Sequence, residues 1–181
     1  MGKGFAMTTS LVMTAIGPDR PGLVKLLSDA AERHGANWAE SRMASLAGQF
    51  AGMVHFEVPD ERAADLEKAL SALESHQLRI VIARSLATAA PARRRVWLEL
   101  VGHDRPGIVR DLSGSLAQRG VSIEELETHV SSAAMSGESL FKVKATLAVP
   151  GDLPDAELRR GLEALANEMM VDVELGEHAG G

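Results

Sequence analysis

One ten-residue segment occurs twice in the sequence, and this repeat constrains the fold more than any other feature. Residues 16–25 (IGPDRPGLVK) recur 85 positions later as residues 101–110 (VGHDRPGIVR), with Asp-Arg-Pro-Gly identical in both copies. The match continues downstream, where four residues of the first copy have identical counterparts in the second: Leu27/Leu112, Ser28/Ser113, Gly35/Gly120 and Glu40/Glu125. A repeat unit this long exceeds the roughly 20–50 residues of solenoid repeats. Duplication of a whole small domain is therefore indicated.

The apolar residues of each copy follow strand and helix periods in one shared order. A first strand is predicted in residues 11–16, a short apolar run, and in residues 96–101, which alternate around Trp97 and Glu99. Helical spacing follows each Pro-Gly; two further strands, a leucine-rich helix and a last apolar strand complete each copy. Glycines are predicted to end the first helix and to turn the hairpin between strands two and three: Gly35, Gly48, Gly120 and Gly137.

The order strand-helix-strand-strand-helix-strand is typical of the split βαβ, ferredoxin-like arrangement. We predict the α+β class, with two tandem βαββαβ modules, each an antiparallel sheet with both helices on one face. The open face of such a sheet needs water or a partner, and we expect a homodimer. The predicted domains are residues 8–86 and 95–175, with a linker at 87–94 and a tail at 176–181.

Composition excludes several classes of function. The 181 residues carry a net charge of -6 with a pI near 5.5, which argues against direct nucleic-acid binding. The basic cluster Arg93, Arg94 and Arg95 is interpreted as a solvated linker end rather than a phosphate-binding patch. No cysteine is present, so thiol chemistry is excluded, and no segment approaches a membrane span. A cytoplasmic protein that does not bind membranes is expected.

No constellation of residues predicts catalysis, a metal site or a cofactor. The six histidines form no H-x-x-x-H pair, and neither a P-loop nor a G-x-G-x-x-G segment is present. The acidic residues Glu124, Glu125 and Glu127 are interpreted as a solvated strand edge, because alternation would place Glu124 and Glu125 on opposite faces. The chain is therefore not expected to be an enzyme.

The Asp-Arg-Pro-Gly turn has two interpretations. As a purely structural element, Pro occupies the first helical position, Asp caps the helix, and the preceding Gly17 or Gly102 lets the chain turn sharply from the strand. As a binding element, the same helix N-terminus offers free N–H groups to a small carboxylate, and Gly22 or Gly107 allows close approach. Repetition of the turn with the same Arg favours a ligand-facing loop in at least one copy.

The Gly-x-Asp-Arg-Pro-Gly-[Leu/Ile]-Val pattern in a βαββαβ unit resembles the ACT domain, a regulatory module that binds amino acids and related small molecules. A chain made only of two such modules resembles the glycine cleavage system transcriptional repressor group, whose first-module second strand is similar to residues 35–42, Gly-Ala-Asn-Trp-Ala-Glu-Ser-Arg. The resemblance implies an effector beside the loop between strand one and helix one, often where two modules pack together. The implied ligand-binding residues are Asp19, Arg20, Pro21, Gly22, Leu23, Asn37, His103, Asp104, Arg105, Pro106, Gly107 and Ile108.

Two functions from different classes remain open on the sequence. The first is a regulatory protein that senses a small amino acid, with glycine implied by the resemblance, and acts through a protein partner such as a transcription factor. The second is a protein-interaction module that does not bind a ligand. Asn37 is expected to face the first loop and the shorter Ser122 the second, so that the two sites would differ in strength.

Overall fold

In a computed structural model, which describes residues 7–85, 92–132 and 138–177, the chain divides into two compact units, Met1–Thr88 and Ala89–Gly181. The first unit contains, in order, β1 (Thr8–Pro18), α1 (Leu23–Arg33), β2 (Asn37–Leu46), β3 (Gln49–Pro59), α2 (Asp60–Ala72), a short 3₁₀ helix (Leu73–His76) and β4 (Arg79–Arg84). The second contains β5 (Arg93–His103), α3 (Ile108–Ala117), β6 (Ser122–Ser132), β7 (Ser139–Pro150), α4 (Asp155–Met169) and β8 (Val171–Glu177). Both units follow the predicted order.

Each unit forms one four-stranded sheet with the same topology. The strand order is β2-β3-β1-β4 in the first sheet and β6-β7-β5-β8 in the second, and every neighbouring pair is antiparallel. Strands one and four of each unit are neighbours although a helix and a hairpin separate them in sequence. This is the ferredoxin-like topology, and the predicted α+β fold class is confirmed.

Each sheet packs both of its helices against one face. Along β1, Leu11, Met13 and Ala15 are buried and form one core with Leu27 of α1 and Leu66 of α2. The second unit has its own separate core, built by strand residues Val96, Leu98 and Leu100 with helix residues Ile108, Leu112, Leu158 and Leu162. Alternate residues of every central strand therefore lie on an open face that carries no helix.

Most of the predicted turns are present, but the strands extend past the predicted domain limits. Gly35 and Gly120 adopt positive φ angles of 64° and 69° just after the first helix of each unit, and Gly48 turns the hairpin with φ 77°. Gly137, predicted to turn the second hairpin, lies outside the described residues. Pairing with β7 starts β5 at Arg93, inside the predicted linker, and pairing with β5 carries β8 to residue 177, inside the predicted tail.

The prediction that Gly17 and Gly102 let the chain turn sharply is wrong, because both residues lie within paired strands. Their function is close packing on the helix side. A Cβ on Gly17 would lie 2.4 Å from the carbonyl oxygen of Gln77, and one on Gly102 would lie 2.3 Å from Cγ1 of Val171. Since real side chains do not approach so closely, only glycine lets the last strand of each unit begin here.

We expect Gly17→Ala to destabilise the first unit by about 1–3 kcal/mol, because the clash is with backbone and cannot be relieved by a rotamer change. Gly114→Ala is the control of opposite sign. Gly114 lies inside α3, and apart from the backbone of that helix no described atom lies within 4 Å of an added Cβ. Alanine there should therefore stabilise the helix by about 0.5–1 kcal/mol. Urea denaturation of both variants would measure the two effects, and a neutral Gly17→Ala would contradict the packing role.

Among the described residues, no helix is long and apolar enough to cross a membrane.

Candidate functional site

The two Asp-Arg-Pro-Gly loops share one backbone conformation. Each joins the end of its first strand to its first helix, and the N-cap of that helix is Gly22 (φ 92°) or Gly107 (φ 97°). Left-handed φ angles of this size are costly for residues with a Cβ, so the loop requires glycine at this position. The first intrahelical bonds run from the Leu26 N–H to the Gly22 oxygen and from the Asp111 N–H to the Gly107 oxygen, both at 2.9 Å.

The capping explanation of these loops is wrong. Pro21 and Pro106 precede the N-cap instead of opening the helix, and within the described parts of the chain no side chain caps α1 or α3. The aspartates act through their backbone, with the Asp19 N–H donating to the Gly48 oxygen and the Asp104 N–H to the Ser139 oxygen, each at 2.9 Å. Both residues are exposed. Each loop therefore presents an aspartate beside a helix N-terminus whose first N–H groups lack intrahelical acceptors.

The two arginines of the loops make different contacts. Arg20 Nη2 donates to the carbonyl oxygen of His76 at 2.7 Å, which ties the first loop to the 3₁₀ helix. Arg105 Nη1 lies 3.8 Å from Asp111 Oδ2, and the same carboxylate also binds Arg110 at 2.8 Å. These charges lie beside the second helix N-terminus. The duplicated sequence thus produces two loops with unlike electrostatic surroundings.

The space above the N-cap glycine also differs between the loops. Among the described residues, no atom beyond the neighbouring backbone lies within 4 Å of a Cβ built on Gly22. A Cβ on Gly107 would lie 3.5 Å from Arg110 Nη2 and 3.7 Å from Asp111 Oδ2. The first helix N-terminus is therefore open, and the second is partly covered by an ion pair of its own helix. Only the tertiary arrangement of α3 reveals this difference.

Other predicted site residues have separate positions. Leu23 and Ile108 are buried in the cores, so their side chains anchor the helices and only their backbone N–H groups can meet a ligand. His103 ends β5, with Nδ1 3.7 Å from Glu138 Oε2, and is exposed beside the second loop. Residues 19–22 and 104–107 form the strand-to-helix loop of each unit, and their role in ligand binding stays a prediction.

Asn37 does not face the first loop of its own module, contrary to the sequence analysis. It pairs with Glu57 on β3, and Glu57 pairs with Ser10, near the start of β1. The loop follows Pro18 at the other end of that strand, roughly 26 Å away at about 3.3 Å per residue. Helix α1 runs back along the sheet before β2 begins, and this separates Asn37 from the loop. Ser122 occupies the corresponding far end, where its Oγ accepts a 3.0 Å bond from Arg93.

The basic cluster is part of the fold of the second unit and is not a linker end. Arg93 donates to the Gly120 and Ala148 oxygens at 3.3 Å, and Arg94 donates to the Leu153 oxygen and pairs with Asp155. Arg95 pairs with Glu124 at 2.8 Å. Strand alternation places the side chain of Arg94 on one face of the sheet and those of Arg93 and Arg95 on the other. All three arginines bind acceptors of their own unit.

The acidic residues Glu124, Glu125 and Glu127 are exposed on edge strand β6, but the prediction that Glu124 and Glu125 lie on opposite faces is wrong, because β6 does not alternate regularly. A β-bulge between Ile123 and Glu125 shifts the register against β7. Glu124 reaches Arg95, and Glu125 Oε2 accepts a 3.4 Å bond from Thr146, both on the open face of the sheet. The extra residue of a bulge cancels one alternation and places both carboxylates on one side. In the described parts of the chain, no group of three or more acidic or histidine side chains could hold a metal ion.

Comparison with known proteins places this architecture in one family. The ACT domain model matches residues 9–83 and again residues 94–176. The chain is similar to the glycine cleavage system transcriptional repressor of Escherichia coli (strain K12), with 24% identity over 162 residues that span 88% of this chain and 85% of the relative.

Two solved structures superpose on nearly the whole chain. A protein of unknown function from Galdieria sulphuraria has a TM-score of 0.85 at 32% identity and covers 96% of this chain and 100% of its own. A structure attributed to a glycine cleavage system transcriptional repressor has a TM-score of 0.73 at 20% identity, covering 96% of this chain and 99% of that one. The family model spans most of the sequence in two matches, and the chain belongs to the ACT domain family, with two tandem copies of the domain.

Proposed function

We propose that the chain is a regulatory protein that binds a small amino acid at the Asp19–Gly22 loop and acts through a protein partner. The observation that carries the proposal is the first loop itself. An exposed carboxylate without a capping role stands beside an open helix N-terminus. An amino acid zwitterion carries the two complementary charges on groups attached to the same carbon, so one small molecule can satisfy both the carboxylate and the helix N-terminus.

The proposed contacts follow from the charges. The effector carboxylate accepts from the first N–H groups of α1, where the helix dipole also favours an anion. The effector ammonium pairs with the Asp19 carboxylate. Because Gly22 has no Cβ and no side chain of the described residues fills that space, the ligand can approach the backbone closely. Glycine is the first candidate, since the E. coli relative is a glycine cleavage system repressor.

The second loop is proposed to bind the same class of ligand more weakly. The Arg110–Asp111 pair lies against Gly107 and places a carboxylate near the helix N-terminus. An incoming carboxylate would meet both the crowding and that negative charge. Asn37 remains a proposed ligand residue only for a loop of another module, because it cannot reach its own.

Control through a protein partner is proposed on the basis of charge. The chain has a net charge of -6, and phosphate binding by nucleic-acid readers needs clustered cations. The three consecutive arginines of the second module bind groups of their own module. The protein is proposed to be a cytoplasmic, non-enzymatic homodimer. Its mechanism is a population shift between two states of the complex, in which effector occupancy changes the affinity for the partner.

Isothermal titration of the full chain with glycine, alanine and serine tests the effector claim. We expect heat of binding for at least one, and markedly weaker binding for glycinamide, which lacks the carboxylate, and for N-acetylglycine, which lacks the ammonium. Thermal unfolding should shift upward with the ligand that binds, because it stabilises only the folded state. If no amino acid gave heat of binding or a shift in thermal unfolding, the effector claim would be wrong. The function would then be that of a protein-interaction module that binds no ligand.

A further inference from the structure

The open face of the first sheet carries a cluster of apolar residues around Thr14, which we call the open-face patch. Strand pairing places six apolar residues of β1, β3 and β4 side by side on this face: Val12, Ile16, Ala51, Met53, Val81 and Ala83. Ile16 is 44% exposed, Met53 52% and Val81 66%. Large side chains of this kind, clustered on one flat surface, are typical of an interaction site.

The ACT fold itself does not require this patch, because the second module has charges at the same places. In the first sheet Thr14 pairs with Met53 on one side and Val81 on the other. The corresponding positions of the second sheet are Glu99, Lys144 and Glu174, and Lys144 Nζ lies 3.3 Å from Glu99 Oε1. One copy of the duplicated module therefore has a solvated open face and the other an apolar one.

The sequence of the two first strands contains the same contrast. Residues 11–16 read LVMTAI, whereas residues 96–101 read VWLELV and include an acidic residue in the middle of the strand. A strand that is apolar on both faces is typical of a strand covered on both faces. The helices cover one face of β1, and the other needs a second apolar surface.

We propose that the open-face patch is a homodimer interface, in which the first-module sheet of one chain packs face to face on that of a second copy. An apolar face requires an apolar counterpart, and of the two described open faces of this chain only the first module's is apolar. A flat surface of several strands also fits a second sheet better than a single peptide, and sheets pack in this way about 10 Å apart. This inference rests on the homodimer of the proposed function, for which it names the interface, and does not depend on effector binding.

The dimensions of the face are sufficient for a modest dimer. Four strands about 4.8 Å apart and some seven residues long cover roughly 20 Å by 25 Å, on the order of 500 Å² per copy before side-chain relief is added. Two such faces together reach the roughly 1,000 Å² that separates specific interfaces from incidental contacts. The dimer is expected to dissociate on dilution.

The charges at the rim are also self-complementary. Glu40 and Arg42 lie on the open face of edge strand β2, opposite His55 and Met53 of β3. Arg42 Nη1 lies 3.1 Å from Glu40 Oε1 of the same strand. A twofold axis that crosses the strands between these two rows would set this ion pair against the same pair of the second copy, with opposite charges facing each other. Rim charges arranged in this way favour one register of association.

Sedimentation velocity on the full chain over a dilution series tests the proposal. The wild type should be a concentration-dependent dimer. Val81→Glu should weaken dimerisation at least about tenfold, because an unpaired carboxylate would have to be buried within the patch, beside Thr14 of β1. Met53→Lys is the second variant, and both introduce a residue that the same fold position tolerates in the second module. Glu174→Lys, an exposed charge change on the second sheet, is the matched control and should dimerise as the wild type does.

A wild type that stays monomeric at the highest concentration would overturn the proposal. Dimerisation of Val81→Glu and Met53→Lys at wild-type strength would also overturn it, as would equal weakening by Glu174→Lys. Circular dichroism of each variant separates a lost interface from a lost fold. Effector binding is measured independently by calorimetry, so failure of this proposal and failure of the proposed function are distinguishable.

Discussion

Replacing Phe56 with alanine is expected to destabilise the first module by about 3–5 kcal/mol. Phe56 is fully buried at the centre of the first core, where its ring meets Trp38 edge-on with centroids 5.4 Å apart. Such aromatic pairs contribute about 0.5–1.5 kcal/mol beyond the burial of their area. A loss of this size is a large part of the roughly 5–15 kcal/mol that stabilises a typical domain.

The second module supplies the control substitution for this experiment. Leu147 holds the position of Phe56 and Ile123 that of Trp38, since they pair in the same register. We therefore expect Phe56→Leu to cost only about 1–2 kcal/mol, because most of the apolar volume is retained. The chain has two tryptophans, one in each module, so a Trp97→Phe background leaves Trp38 to report on the first module in urea. Equal effects of the alanine and leucine variants would contradict the packing role.

Replacing Asp19 with alanine is expected to weaken effector binding about 10- to 100-fold, because a hydrogen bond to a charged group contributes about 1.5–3 kcal/mol. The same change should leave stability within about 0.5 kcal/mol of wild type, since the exposed side chain caps nothing in the described structure. A capping aspartate would instead cost about 0.5–2 kcal/mol of stability on replacement. Calorimetry and urea denaturation of one variant thus separate the two roles.

Two matched variants make the Asp19 result specific. Asp65→Ala removes one exposed carboxylate from α2 of the same module and should leave the affinity unchanged. Asp104→Ala makes the equivalent change in the second loop, where Arg110 and Asp111 surround the helix N-terminus, and should have a smaller effect. If all three variants bound alike, the first loop would not be the effector site.

The fold could be predicted from sequence because its determinants are local and repeated. Alternation in Phe56 and Val58, helical spacing in Leu66 and Leu70, and a turn at Gly48 each specify one element, and the duplication supports each assignment twice. The β-bulge near Glu124 was not predicted, because an extra residue in a strand does not change the composition of that strand. The distance between Asn37 and its own loop was not predicted, because the spacing of motifs does not show at which end of the sheet β2 begins.

The Asp-Arg-Pro-Gly turn shows where the two sources of information divide. The sequence by itself determined that the loop occurs twice, that it precedes a helix and that glycine is needed within it, because these properties depend on backbone preferences of neighbouring residues. Only the tertiary structure decided that the Asp19 side chain makes no cap among the described residues, that Gly17 is needed for packing, and that Met53 and Val81 lie beside Thr14 on one open face. Those properties depend on contacts between residues distant in the chain, which are fixed when strands pair and helices pack.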